Sequence, residues 1–328
     1  MKQLIDKKLT LFTTNTEIIK SGFTWQNTLT KRLAALLYTL DDKKVNCEAI
    51  QECHNIIKNN TGIFSTFRGN MSLCIAAMMS LRENRDQMFS NTMRVYNLLK
   101  TAKFHASDYL TVAAYLIAAN KNSEYYQSTV ERAKEFYDGM KQQRWFLTGQ
   151  DDYIYAAMLG LSDIDTAAGI ERVEHLYQRL KPEFWPGNSV QALSQVLVLG
   201  GKSDDTAYHL LTLRDTLRSR KIKLDKMYTL PALGVLALIP IDGAVLAQDI
   251  LEAQSYLRAQ KGFGSLSIST QELLLFSSAI ISSVYAEEMK NNIVTSISTS
   301  IASIIIAQQV AIITAVSAST SAAASSSS

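Results

Sequence analysis

Apolar side chains gather along the chain in seven windows: 33–40 (LAALLYTL), 74–81 (CIAAMMSL), 111–118 (TVAAYLIA), 154–161 (IYAAMLGL), 192–199 (ALSQVLVL), 232–239 (ALGVLALI) and 274–281 (LLFSSAII). Their starts lie 41, 37, 43, 38, 40 and 42 residues apart, steadier than chance clustering produces. A period of this length is the mark of stacked supersecondary units. The first six windows each run into a polar stretch: DDKKVN, RENRDQ, ANKNSE, SDIDT, GGKSDD and PIDG. Asp, Asn and Ser in these stretches can cap a following helix by accepting from its free N–H groups. A more amphipathic segment comes next. In 169–180, Val173, Leu176, Tyr177 and Leu180 recur at helical spacing with the charges on the other side, and 128–141 behaves alike. Each window is therefore expected to be the inner helix of a hairpin, and each amphipathic segment its outer helix.

The fold this predicts is all-α: seven tandem helical hairpins of about 40 residues, closed as an α/α toroid or open as a curved solenoid. Residues 1–28 are expected to form an N-terminal capping helix, 29–290 the hairpin domain, and 291–328 an uncharged tail. Between units runs a short connector that carries an aromatic: Phe64 and Phe67, Phe104, Trp145 and Phe146, Phe184 and Trp185, and Phe263, with Leu224 in the fifth unit. The favoured reading is a hydrophobic plug under each turn, since buried aromatics dominate core energetics. The alternative is a ring of aromatics facing one mouth of the array.

The connectors lead into inner-helix N-termini, which carry free N–H donors and partial positive charge. Candidate ligand-binding residues there are Arg68, Asn70, His105, Asp108, Asp151, Asp152, Trp185, Asn188 and Tyr228. Adjacent Asp151 and Asp152 could hold a cation or share a proton, but the favoured role is capping the helix that follows. His105 and Asp108 could form a base with its orienting carboxylate. Without a local nucleophile, His105 reads better as a connector residue near a helix cap supplied by Ser107 or Asp108.

Charge changes the picture little at this level. The chain has 33 basic and 30 acidic residues, well mixed, and no block of like charge supports a nucleic-acid or acidic-membrane partner. Cys47, Cys53 and Cys74 form no C-x-x-C pair and are expected to pack in the core in a reducing compartment. Asp6, Lys7, Lys8 and Glu17 interrupt any apolar run near the start, so no signal peptide is expected and the protein reads as cytoplasmic. The phosphate-cradling, dinucleotide and zinc motifs are missing, so no catalytic residue, metal or cofactor is assigned.

Beyond Lys290 there is no charged side chain. Residues 293–316 could span a bilayer as a helix, yet Gln308 and Gln309 sit at the centre. A stripe of small residues (Ser296, Ser300, Ser303, Ala307, Ala311, Thr314) also suits packing against protein. Burial, in this chain or in a homo-oligomer, is favoured over membrane anchoring.

The segment 146–159 (FLTGQDDYIYAAML), and within it L-T-x-x-D-D-Y, resembles an uncharacterised bacterial family, the domain of unknown function numbered four thousand and three. The resemblance implies no activity. The hairpin period and connector aromatics also look like the α/α toroids of terpene cyclases, a likeness of fold that carries no chemistry. The function expected is a helical-repeat binding or scaffold protein with a protein or small-molecule partner. One alternative is an α/α-toroid enzyme with its cavity at the connector end. The other is a membrane-attached or self-assembling protein organised by the C-terminal helix.

Overall fold

The structure, a computed structural model, describes residues 1–201, 205–291, 307 and 309–312. Among the described residues all regular structure is helical and no strand occurs. The chain divides into two compact units. One contains Thr14–Ala167 with 310–312, and the other contains Met1–Thr13 with the described residues from Ala168 to Gln309.

The 14–167 unit takes the second part of α1 (Lys2–Gly22) and then α2 (Thr28–Leu40), α3 (Cys47–Asn60), α4 (Ser72–Ser80), α5 (Arg85–Thr101), α6 (Asp108–Asn120), α7 (Tyr126–Gln143) and α8 (Tyr153–Leu161). Buried helices alternate with amphipathic ones. Every residue of α4 is buried, because its apolar side chains face all round. In α5 only Phe89, Thr92, Val95 and Leu99 are buried, a stripe at three- and four-residue spacing. The same contrast separates α6 from α7. Asn46 and Asn84 cap α3 and α5, accepting from Ala49 N (2.9 Å) and Gln87 N (3.0 Å). Asn15 of α1 is fully buried and satisfied: its amide donates to Thr39 Oγ1 (3.1 Å) and Lys43 O (3.0 Å), and its carbonyl accepts from Val45 N (2.9 Å). Gly160 lets α8 lie against the α7 backbone, and Arg132 of α7 ties down the end of α8 through Gly160 O (3.2 Å), Ser162 O (3.0 Å) and Ile164 O (2.7 Å).

The 168–309 unit holds α9 (Thr166–Leu180), α10 (Gly187–Leu199), α11 (Thr206–Ser219), α12 (Leu230–Ala237), α13 (Gly243–Arg258) and α14 (Thr270–Asn291), with the first part of α1. The alternation holds here too: α10 and α12 are buried nearly throughout, whereas α9, α11 and α13 bury one stripe each. In α14 every residue from Leu273 to Ala286 is buried, four serines included. Lys8 of α1, itself buried, pairs with Glu287 at 3.3 Å. The apolar windows all fall on even-numbered helices, and only those in α4 and α12 overrun the helix end, by one and two residues. Most of the expected C-terminal helix, 293–316, lies outside the described residues. Ala307 and 309–312 are helical and buried, and Gln309 Nε2 donates to Leu275 O at 3.2 Å.

Candidate functional site

Within the 14–167 unit the buried helices α2, α4 and α6 run parallel. At their C-terminal ends Tyr38 OH bonds Ser80 Oγ (2.5 Å) and Tyr115 OH donates to Met78 O (2.8 Å). At the other end, Thr111 Oγ1 donates to Thr66 Oγ1 (3.1 Å) and Asp108 accepts from Met71 N. The next connector joins the row where His105 N donates to the Tyr153 hydroxyl at 3.2 Å. The connectors 23–27, 61–71, 102–107 and 144–149 therefore line one end of this unit.

Among these connectors some aromatics anchor in the core and others stand in water, and at Trp145 and Phe146, as at Phe64, the expected plug is overturned. Phe67 and Phe104 are buried as plugs; Phe104 stacks edge-on with Tyr153 at 4.8 Å and contacts Tyr137 at 5.3 Å. Beside them Phe64 is 94% exposed, Ile63 is exposed, and Trp145 and Phe146 stand out of the surface in a T-shaped pair at 6.0 Å. The other unit repeats the division, with Phe184, Leu224 and Phe263 buried and Trp185 and Leu266 exposed. The chain has three tryptophans, Trp25, Trp145 and Trp185. All three are connector residues and are 99%, 76% and 77% exposed.

A cleft of about 450 Å³ opens at this end, lined by Trp25, Gln51, His54, Lys58, Phe67 and Arg68 among others. His54 is buried in its wall. Its ring lies 6.0 Å from that of Phe23, and its Nε2 has no hydrogen-bond partner. Burial, and then the charge of Lys58, holds the His54 pKa below the usual histidine range. Arg68 is half-buried and serves the end of α3. Its Nε donates to Thr61 Oγ1 (3.1 Å) and its terminal nitrogen to the carbonyls of Lys58 and Thr61.

The other candidates turn to separate partners. Asp108 faces the Gly69–Met71 turn so closely that a Cβ at Gly69 would lie 2.5 Å from its Oδ1. Burial raises its pKa, opposed by the Met71 N–H. Ser107 supplies the cap of α6, accepting from Leu110 N at 3.2 Å. His105 is exposed, and no hydrogen bond joins it to Asp108. Asp152 is buried, but its carboxylate does not cap α8 forward. It turns back to accept from Gly149 N at 2.9 Å, because a 3₁₀ turn at Gln150–Asp152 precedes the helix. Asp151 is half-buried, and burial raises its pKa. Asn70 is exposed; in the other unit Asn188 is exposed and Tyr228 half-buried. Among the described residues no three His, Cys, Asp or Glu side chains gather as metal ligands. Cys53 and Cys74 are buried, and Cys47 is half-buried.

Sequence reasoning did not place Trp25 or His54 among the candidate site residues. For His54 the signal was its place on the apolar face of α3, between Ile50 and Ile57. For Trp25 it was its position just before the Asn27 cap of α2.

A family model described as "Protein of unknown function (DUF4003)" matches residues 15–310. No curated protein and no solved structure matches the chain.

Proposed function

The chain belongs to the DUF4003 family, and on that premise we propose that it is a helical-repeat binding protein of tandem hairpins that recognises its partner through the connector end. The observation that carries this reading is the pairing of a buried plug with an exposed large apolar neighbour, seen at Phe67 and Phe64 and again at Phe184 and Trp185. A plug alone would satisfy the core. An aromatic left in water beside it contributes nothing to folding, and such residues gathered at the connector end of the 14–167 unit mark a place where something binds. The cleft at Trp25 and His54 extends the same edge. A photo-reactive phenylalanine analogue at Phe64, and in a second variant at Glu124 on the opposite turns, tests the reading in cells of the source organism. Adducts are expected at position 64 and not at 124. Equal labelling at both, or none at 64, overturns it.

A further inference from the structure

Within the 14–167 unit the connector end exposes more cations than acids. Beside the connectors stand the exposed cations Lys20, Lys58, Lys100, Lys103 and Lys141, and among the described residues none of them is held in an ion pair. Of the carboxylates at that end, Asp108, Asp138 and Asp151 are half-buried and Asp152 is buried, while Glu17 is exposed. At the opposite turns Asp41, Asp42, Glu83, Glu124, Asp163 and Asp165 are exposed together with Lys43, Lys44 and Arg82. The connector end of the unit therefore offers water a basic surface studded with aromatic tips, whereas the other end mixes both signs.

We propose that the connector end of this unit docks onto the surface of an anionic lipid bilayer, with Trp25, Ile63, Phe64, Trp145 and Phe146 entering the headgroup region and the lysines facing lipid phosphates. This deepens the connector-recognition reading and rests on it. Three observations favour lipid over a protein partner. The apolar side chains stand on three loops, and Ile63, Phe64, Trp145 and Phe146 lie outside the cleft that Trp25 lines, so they can enter a fluid interface without a matching pocket. Tryptophan and phenylalanine are suited to that interface, where an apolar ring meets water. Lysines that outnumber the exposed acids around them are attracted by a negative leaflet and gain nothing from a neutral one. Among the described residues no helix is long and apolar enough to cross a membrane.

The test is sedimentation of the full chain with vesicles of phosphatidylcholine alone or of phosphatidylcholine with phosphatidylglycerol. Emission is followed in variants that retain Trp25 or Trp145 as sole tryptophan, with the other two replaced by phenylalanine. Binding is expected to anionic vesicles only, to weaken with salt, and to shift each tryptophan's emission to the blue. The double variant Phe64→Ala/Trp145→Ala should lower binding by about tenfold or more while its melting curve stays unchanged, because both side chains are exposed. Absence of binding to anionic vesicles at low salt overturns the proposal, as does a double variant that binds like the parent. Protein adducts at position 64 without vesicle binding would overturn the lipid partner while leaving connector recognition standing. No adducts and no vesicle binding would end both.

Discussion

Replacing Gly160 by alanine sets two opposing effects of known size against each other. Gly160 is the penultimate residue of α8, so alanine gains up to about 1 kcal/mol of helix propensity. Against this, the new Cβ would lie 2.8 Å from Ala133 N, 2.9 Å from Thr129 O and 3.0 Å from Ala133 Cα. These are backbone atoms of α7, with no rotamer that can swing aside. Restoring ordinary contact requires α8 to retreat by roughly 0.7 Å. Overpacking of that kind costs about 1–3 kcal/mol. The retreat also stretches the bond from Arg132 Nε to Gly160 O, now 3.2 Å. A hydrogen bond from a charged donor is worth about 1.5–3 kcal/mol when lost outright, and only part of that is lost on stretching. The balance is a net destabilisation of roughly 2 kcal/mol, or roughly 4–8 °C in Tm. Urea and thermal unfolding followed by helical circular dichroism measure it. Gly264→Ala, where nothing lies within 4 Å of the new Cβ, is the control and should be near neutral. A Gly160→Ala protein as stable as the parent, or more so, would refute the claim that α7 and α8 meet backbone to backbone.

Phe104→Ala should cost about 3–5 kcal/mol by emptying the space between Tyr137 and Tyr153, whereas Phe64→Ala should change stability by less than about 0.5 kcal/mol. Equal losses in urea titrations would contradict the division into anchor and tip. Asp151→Asn should raise Tm at neutral pH. A carboxyl whose folded pKa is raised stabilises the fold fully below its unfolded pKa and loses that contribution as pH rises through the raised value. The advantage of the asparagine variant should therefore close as pH falls below the ordinary carboxylate range, and a gap that widens in acid would contradict burial as the cause.

The buried helices were legible in sequence because α4, α6 and α8 are apolar on every side, a signal that survives without knowing what covers them. Their amphipathic partners followed from spacing. Connector chemistry was harder to read. Phe64 and Phe67 are the same residue type three positions apart, and only the 3₁₀ turn at Thr66–Arg68 decides which is plug and which is tip. The reversal at Asp152 has a similar origin: capping preference assumes that the α-helix begins at once, and the short turn before α8 redirects the carboxylate to Gly149. Arg68 stood out as a connector cation, but its donors are spent on the last carbonyls of α3, a contact across ten residues that no local pattern announces. The excess of exposed lysines at the connector end is invisible in one dimension, since residues far apart in sequence, from Lys20 to Lys141, supply it.

Because the anchors and the tips of the connectors are different residues, mutation can act on one without touching the other. Substitutions at Phe64, Trp145 or Trp185 leave the plugs at Phe67, Phe104 and Phe184 in place, so each tip can change its chemistry while the hairpin beneath it still folds. Family members can therefore diverge in what they touch faster than in how they fold. Variation among them should concentrate at tip positions, with the plug positions held to large apolar side chains.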